Sequence, residues 1–291
     1  MSLVQRILSI SIQKEGLPFK ESGKNTLTLT NLRMSSKIIK AGGPALGTAQ
    51  LTVWGMTLSQ MNQLSTLGMK VQLVPRNILT VSAGNVGGLP TTVFIGSITQ
   101  AYADFCNAPD VSFQIIAQVT AVDNAAPAQV SSYKGTTDAA LVMNNLAGKM
   151  NCTFENNGVT AKLSNPYFPG SARSQAQTCA EHAGIGWIVD NGTLAIWPKN
   201  GARSGTVPLI SATTGMVSYP AFTAQGIMVR TLFNPSIKFG GNVQVQSDLT
   251  AACGTFAVYS LNHNLDCLLP KGNWFSDVGC YNPKYPPPVI Q

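Results

Sequence analysis

The chain has 291 residues, ample for two or three domains, and 44% of them are hydrophobic. Only 11% are charged, against about 25% in an ordinary globular protein. The surface is therefore rich in Thr, Ser, Asn, Gln and Gly, which neighbours can bury without stranding charges, and this argues for a permanent oligomer. The net charge of +7 comes from scattered residues such as Lys37, Lys40, Arg173, Arg203 and Lys271, with no basic run or aromatic-interleaved patch. That pattern argues against sequence-specific nucleic-acid binding.

Met1 to Asp123 reads as β-rich. The opening residues lack a basic start followed by a long apolar run, so they make no convincing signal peptide, and no apolar run is long enough to span a membrane. Thr26 to Met34 and Gln50 to Met56 alternate at period two. Leu58, Met61, Leu64 and Leu67 predict a short amphipathic helix, started by Thr57 or Ser59 and stopped by Gly68. Lys70 to Pro75, Asn77 to Ser82, Thr91 to Ala103 and Val111 to Thr120 are predicted strands, with Gly96 as a bulge and Phe105 to Asp110 as a turn.

Asn124 to Tyr133 reads as a linker. Gly135 to Gly148 is a predicted helix capped by Thr136 or Thr137. A hairpin is expected around Asn157-Gly158, pairing Cys152 to Phe154 with Val159 to Leu163. Pro166 to Gly170 reads as a loop, and a second helix runs from Ser171 to about Ala183. Ile185 to Asp190, the turn Asn191-Gly192 and Thr193 to Pro198 form a strong hairpin signal; Asn191-Gly192-Thr193 fits a glycosylation sequon but reads better as that turn. Gly201 to Ser204 is a second linker. Ala221 to Asn282 then contains four β-rich runs, suggesting a barrel built to pack against copies of itself. The tail from Tyr285 to Gln291 is a polyproline strip. The predicted fold is thus mainly β with an α+β insert: barrel domains at 1–123 and 205–291 flank a small α+β domain at 134–200. The outer modules share texture, with no repeat visible residue by residue.

No catalytic, cofactor or metal site emerges. Cys106, Cys152, Cys179, Cys253, Cys267 and Cys280 form no Cys-x-x-Cys and read as reduced thiols, with a disulfide among the last three left open. Glu181-His182 lies at a helix end, where a histidine meets the dipole. His263 with Asp266 and Asp277 could be imagined as a triad, but no nucleophile elbow exists and a polar turn or interface histidine fits better. Ala41 to Gly47 and Ala83 to Gly88 lack a P-loop's Gly-Lys-Ser/Thr and read as loop tips. Trp187 and Trp197 are expected to pack the insert's core, with a carbohydrate platform as the sharper alternative.

The order of modules resembles the baseplate hub of contractile-tailed bacteriophages. Three features carry the likeness. The first is a short helix beside twisted strands in the first module. The second is Gly170-Ser-Ala-Arg-Ser leading through His182 to Gly186-Trp-Ile-Val-Asp-Asn-Gly-Thr-Leu-Ala-Ile-Trp-Pro. The third is Gly226-Ile-Met-Val-Arg-Thr-Leu-Phe-Asn-Pro-Ser-Ile-Lys-Phe-Gly-Gly, followed by Tyr259-Ser-Leu-Asn-His-Asn-Leu-Asp and Asn273-Trp-Phe-Ser-Asp-Val. The resemblance implies a structural virion protein without enzymatic activity. It implies a homotrimer whose six tube-like barrels form a pseudo-sixfold ring, adapting a hexameric tail tube to a trimeric central spike. Implied partners are the tail tube protein, the spike, other baseplate proteins, the tape measure protein and DNA passing through a lumen lined by Thr and Gln faces. Assembly would occur in the host cytoplasm. The competing classes are another tail-tube-like baseplate or contractile secretion-system component, a carbohydrate-binding module, and a cell-wall hydrolase.

Overall fold

The computed structural model describes residues 5–16, 18–20, 22–66 and 76–283. Gly68, the strand expected at Lys70 to Pro75 and the tail from Tyr285 lie outside the described residues. The first part of the chain supplies β1 (Arg6–Gln13), β2 (Thr26–Leu29), β3 (Met34–Lys40), β4 (Thr48–Trp54), α1 (Leu58–Leu64), β5 (Ile78–Asn85), β6 (Thr91–Asp104) and β7 (Ser112–Gln118). Alternation places Leu8, Ile10 and Ile12 of β1, Leu51 and Val53 of β4, and Phe113 and Ile115 of β7 in one core. Thr57 and Gln60 form a reciprocal capping box at the start of α1, and Ser65, not Gly68, ends it. Thr26 to Met34 is not one strand, because Asn31 turns in the left-handed region (φ 57°) between β2 and β3.

The middle of the chain forms α2 (Ala121–Ala125), β8 (Ser131–Ser132), β9 (Thr136–Asp138), α3 (Ala139–Lys149), β10 (Thr153–Asn156), β11 (Lys162–Ser164), β12 (Tyr167–Phe168), α4 (Ala172–Ala183), β13 (Ile185–Asp190) and β14 (Thr193–Pro198). Ser171 caps α4, and β13 and β14 pair across Asn191-Gly192, both as expected. Four expectations fail here. The supposed linker holds the end of α2 and all of β8, and β8 pairs with β12 inside the expected loop. The β-branched pair Thr136 and Thr137 extends as β9, so α3 starts at Asp138 without a side-chain cap. The hairpin at Asn157-Gly158 does not form: β10 runs parallel to β14, and β11 pairs with β9. Asn157 instead bonds outward, from its side chain to the Ile196 carbonyl (3.0 Å) and from Ser204 N–H to its own Oδ1 (2.8 Å). The apolar faces of α3 and α4 join the core of the first β module, so these two regions share one interior.

The last part gives β15 (Leu209–Ile210), β16 (Ala221–Thr223), β17 (Gly226–Leu232), β18 (Asn242–Val245), β19 (Gly254–Cys267) and β20 (Trp274–Tyr281), around a separate core of Val229, Val243, Phe256, Val258, Leu261 and Val278. The described strands of the two β modules join in one sheet. One thirteen-stranded sheet crosses both β modules in the order β16-β17-β20-β19-β3-β4-β7-β6-β5-β1-β2, with β18 on β19 and β15 on β18. No closed barrel is found among the described residues. The reason lies in β19: its first residues pair with β18, and its second half, Leu261 to Cys267, is bonded along β3. The edge that would close the last module is used to join it to the first. Around the other side, the Cys267 thiol donates to the Arg6 carbonyl at 3.3 Å and the Arg6 guanidinium lies 5.5 Å from the centre of the Trp274 ring, so the sheet rolls back on itself without a strand pairing there.

The two β modules contain the same unit. A hairpin (β3–β4, β16–β17) is followed by β5–β6–β7 or β18–β19–β20, in which the fifth strand pairs back on the second: β7 on β4, β20 on β17. The registers coincide. Ala49, Ala117 and Ile98 sit side by side, as do Ile227, Cys280 and Val258. Each long central strand breaks register one residue further on, between Ile98 and Gln100 and between Val258 and Ser260. Ile98 donates to the Asn77 carbonyl at 2.8 Å, and Val258 donates to the Gly241 carbonyl at 2.9 Å, from matching positions. Gly96 is therefore not the bulge. A Cβ there would lie 2.7 Å from the Gln118 carbonyl and 2.7 Å from the Phe94 ring, so the glycine lets backbone and ring approach.

Candidate assembly interface

Two kinds of surface matter in this molecule: the joint that fixes the insert against both β modules, and the strand edges the modules leave open. The joint is built from charged side chains that sequence reading left scattered. Lys40, at the end of β3, pairs with Asp190 at the end of β13 and donates to Asn191 Oδ1 at 3.0 Å. Arg203 forks onto Glu155, with Nε to Oε1 at 3.0 Å and Nη2 to Oε2 at 3.1 Å, and reaches Asp190 Oδ2 at 3.4 Å. Burial by itself would raise the Asp190 carboxyl, but Lys40 and Arg203 outweigh it and hold it below the usual range. The Arg203 hydrogen bond likewise lowers Glu155. Buried charges survive only when paired in this way. The predicted linker at 201–204 is thus an anchor: the Arg203 side chain is only 4% exposed.

A second clasp lies beside it. Arg173 of α4 donates to the carbonyls of Gly43 (2.9 Å) and Ala45 (2.7 Å) and to Thr120 Oγ1 (3.1 Å), with its guanidinium 4.8 Å from the centre of the Trp187 ring. Burial lowers its pKa to about 10. The Gly43 amide donates to the Trp187 carbonyl at 2.9 Å, and a Cβ on Gly42 would lie 2.5 Å from the Phe239 ring. The Ala41 to Gly47 segment is therefore a docking joint and not a loop tip. Trp187 and Trp197 are both buried. Trp187 packs in the shared core, whereas Trp197 reaches out to Phe239 of the last module at 6.4 Å, so neither offers an open sugar platform.

The imagined triad does not assemble. His263 lies mid-strand in β19, 3% exposed, with Nδ1 2.8 Å from Ser276 Oγ and its ring edge-on to Phe233 at 5.4 Å. It is neither a turn nor a surface residue. Burial and the nearby Lys40 depress its pKa to about 3. Asp277 instead takes Arg230 and Asn264, and Asp266 takes Ser35 and Asn273. His182 sits in the last turn of α4 beside Phe168, with ring centres 5.8 Å apart, as a helix-end histidine should. Among the described residues no group of three or more His, Cys, Asp or Glu is placed to hold a metal ion. All six cysteines are free.

Among the described residues, two strand stretches with an unpaired edge are short and aromatic. β16 is exposed at all three residues, with Phe222 61% accessible and Tyr219, just ahead of it, 64%. Tyr219 Oη donates to Asp248 Oδ2 at 3.1 Å, which steadies the approach to the strand. At the far end of β6, Tyr102 and Phe105 are 42% and 54% exposed. Composition pointed to self-packing in the last module; the matching patch on β6 carried no signal beyond two aromatics near a turn.

A family profile described as baseplate hub gp41 matches residues 16–268. The chain belongs to this baseplate hub family. It is accordingly a structural component of a phage tail, as the order of modules implied. Comparison with curated protein sequences finds no match. Among solved structures, the 43 kDa tail protein of prophage MuSo2 from Shewanella oneidensis is similar over 95% of this chain and 97% of that one, with a TM-score of 0.61 at 9% identity. A tail protein from Neisseria meningitidis MC58 is similar over 94% and 96%, also at 0.61, with 10% identity. An Escherichia coli component of the type VI secretion system covers 96% of this chain and 80% of its own, at 0.56 and 8% identity. At such identities the likeness speaks for the fold.

Proposed function

We propose that three copies of this hub protein form a ring of six tube-like units that adapts a sixfold tail tube to a threefold central spike. The observation that carries this reading is the repeated strand unit: one chain presents two units of the same register side by side in one sheet. Residues 1–123 and 205–291 supply the two units, and 134–200 forms an insert whose Arg173 binds the 41–47 joint and whose Asp190 meets Lys40 of the first unit and Arg203 of the 201–204 anchor. Tube protein, spike, tape measure and other baseplate proteins are its partners, and Thr- and Gln-bearing strand faces line a lumen through which DNA slides, since a strongly basic wall would hold phosphates. The role is mechanical, without catalysis, within a virion tail assembled in the host cytoplasm. A place in a contractile secretion system is the second reading, favoured by the Escherichia coli likeness. Native mass measurement of the chain, alone and bound to tails, tests the proposal. A threefold mass is expected; a twofold or sixfold assembly, or a monomer in both settings, overturns it.

A further inference from the structure

The intramolecular junction between the two units is a template for the junction between copies. In the chain, the second half of the long strand β19 binds β3, the leading strand of the other unit: Leu261 faces Lys40, His263 faces Ile38, and Asn264 faces Lys37. By the shared register, Ala101 to Asp104 of β6 correspond to Leu261 to Asn264, and Ala221 to Thr223 of β16 correspond to Lys37 to Ile39. One chain therefore holds one used pair of these elements and one unused pair. Resting on the trimeric reading above, we propose that β16 of each copy pairs antiparallel with the end of β6 of the next. Phe222 then lies opposite Ala103, Ala221 opposite Asp104, and Thr223 opposite Tyr102.

Three observations carry this pairing. First, the polarity of the β6 edge is right. The Thr66 amide donates to the Ala101 carbonyl at 2.7 Å and the Ala101 amide donates to Thr66 Oγ1 at 2.9 Å, so Ala101 turns its backbone away from β7. Alternation turns Ala103 the same way, and it has no backbone partner on that side among the described residues. Thr66 occupies the place that Lys40 takes opposite Leu261, so the edge left unpaired among the described residues begins where β16 would begin. Second, size complements size. Within the chain Ile38 meets the large His263; between copies the large Phe222 meets the small Ala103. Third, both edges end in exposed aromatics, Phe222 and Tyr219 on one and Tyr102 and Phe105 on the other, which strand addition would cover. The contact is head-to-tail, with different surfaces on its two sides, and such contacts close into rings when the rotation allows.

Cysteine trapping tests the register in the full chain, with Cys106→Ser and Cys253→Ser as background. Asp104→Cys with Ala221→Cys places thiols at the proposed contact between copies; Lys37→Cys with Asn264→Cys places them at the equivalent contact within one copy, as the control. Tyr102→Cys with Thr223→Cys is the alternative should the first pair fold poorly. Oxidation is expected to give covalent trimers from the between-copy pairs and a monomeric loop from the control. A threefold native mass with the control linked and no links between copies overturns the strand pairing and leaves the trimer standing. No assembly under any condition and no links between copies overturns both.

Discussion

The two repeated strand units share register and exchange contents. At matching positions of the long central strands, the first unit has Phe94 and Gly96 and the second has Gly254 and Phe256. In each, the ring lies toward its glycine: Phe94 against Gly96, and Phe256 3.9 Å from where a Gly254 Cβ would be. One aromatic fills each unit, entering from opposite ends of the same three-residue step. What is preserved is one ring and one glycine two positions apart, not residue identity at each position. Packing demands that the space be filled and tolerates different routes to filling it.

The sharpest way to break this equivalence is to empty the space. Phe94→Ala and Phe256→Ala should each cost about 3–5 kcal/mol, with Phe94→Ala the larger because Phe94 is fully buried and Phe256 is 6% exposed. Urea unfolding measures both; a loss below about 1 kcal/mol at either site would deny that the rings play the same part. Gly96→Ala should follow, at about 1–3 kcal/mol, because its Cβ would press on the Gln118 carbonyl and the Phe94 ring. Combining it with Phe94→Leu should be non-additive, since the two positions touch.

The next difference is one of charge. The counterpart of His263 is Ala103, so at this position only the second unit buries a titratable group. His263 stays neutral in the fold down to about pH 3, whereas the unfolded chain takes up its proton near 6.5. The unfolded state therefore binds more protons between these values, and stability must fall as pH drops from about 6.5 toward 3. The slope reaches at most about 1.4 kcal/mol per pH unit. Asp190 and Glu155, both held low by their cations, add to the acid loss at the bottom of that range. Thermal melts across pH should show a shallower slope in His263→Gln than in the parent. Equal slopes would mean that the histidine is not the titrating group.

How much of this was legible in the sequence depended on distance along the chain. The Asn191-Gly192 hairpin is a local signal and was read correctly, while Thr57 was one of two caps the sequence offered and the structure uses it. Thr136 and Thr137 were misread because a cap and a short strand use the same residues, and only the partner Lys162 to Ser164 decides. The β3–β19 junction joins residues more than two hundred positions apart with no local mark. The repeat escaped notice because its aligned pairs, such as Leu51 with Val229 or Gly96 with Phe256, keep burial or position but not identity. Self-packing was an expectation for Ala221 to Asn282 as a whole, and nothing in it singled out the exposed Ala221 to Thr223; the joint made by Gly42, Arg173 and Arg203 was not legible either, since glycine-rich segments and lone arginines look the same in loops and in clasps.

The smallest expected effect comes from the pair that bridges each unit's second and last strands. In the first unit Thr52 Oγ1 donates to Gln114 Oε1 at 2.8 Å; in the second Arg230 forks onto Asp277, at 2.6 and 3.1 Å. These residues occupy corresponding positions, so Arg230→Thr with Asp277→Gln writes the neutral pair into the charged site. Arg230 is half exposed, its side chain 52% accessible, and water and salt screen such a pair to about 0.2–1 kcal/mol. The double variant should therefore unfold within about 1 kcal/mol of the parent and lose the parent's sensitivity to salt. A larger loss would mean that charge, and not strand register, holds the second unit together. That would separate the two units in kind, because the first keeps the same register with no charge at this position.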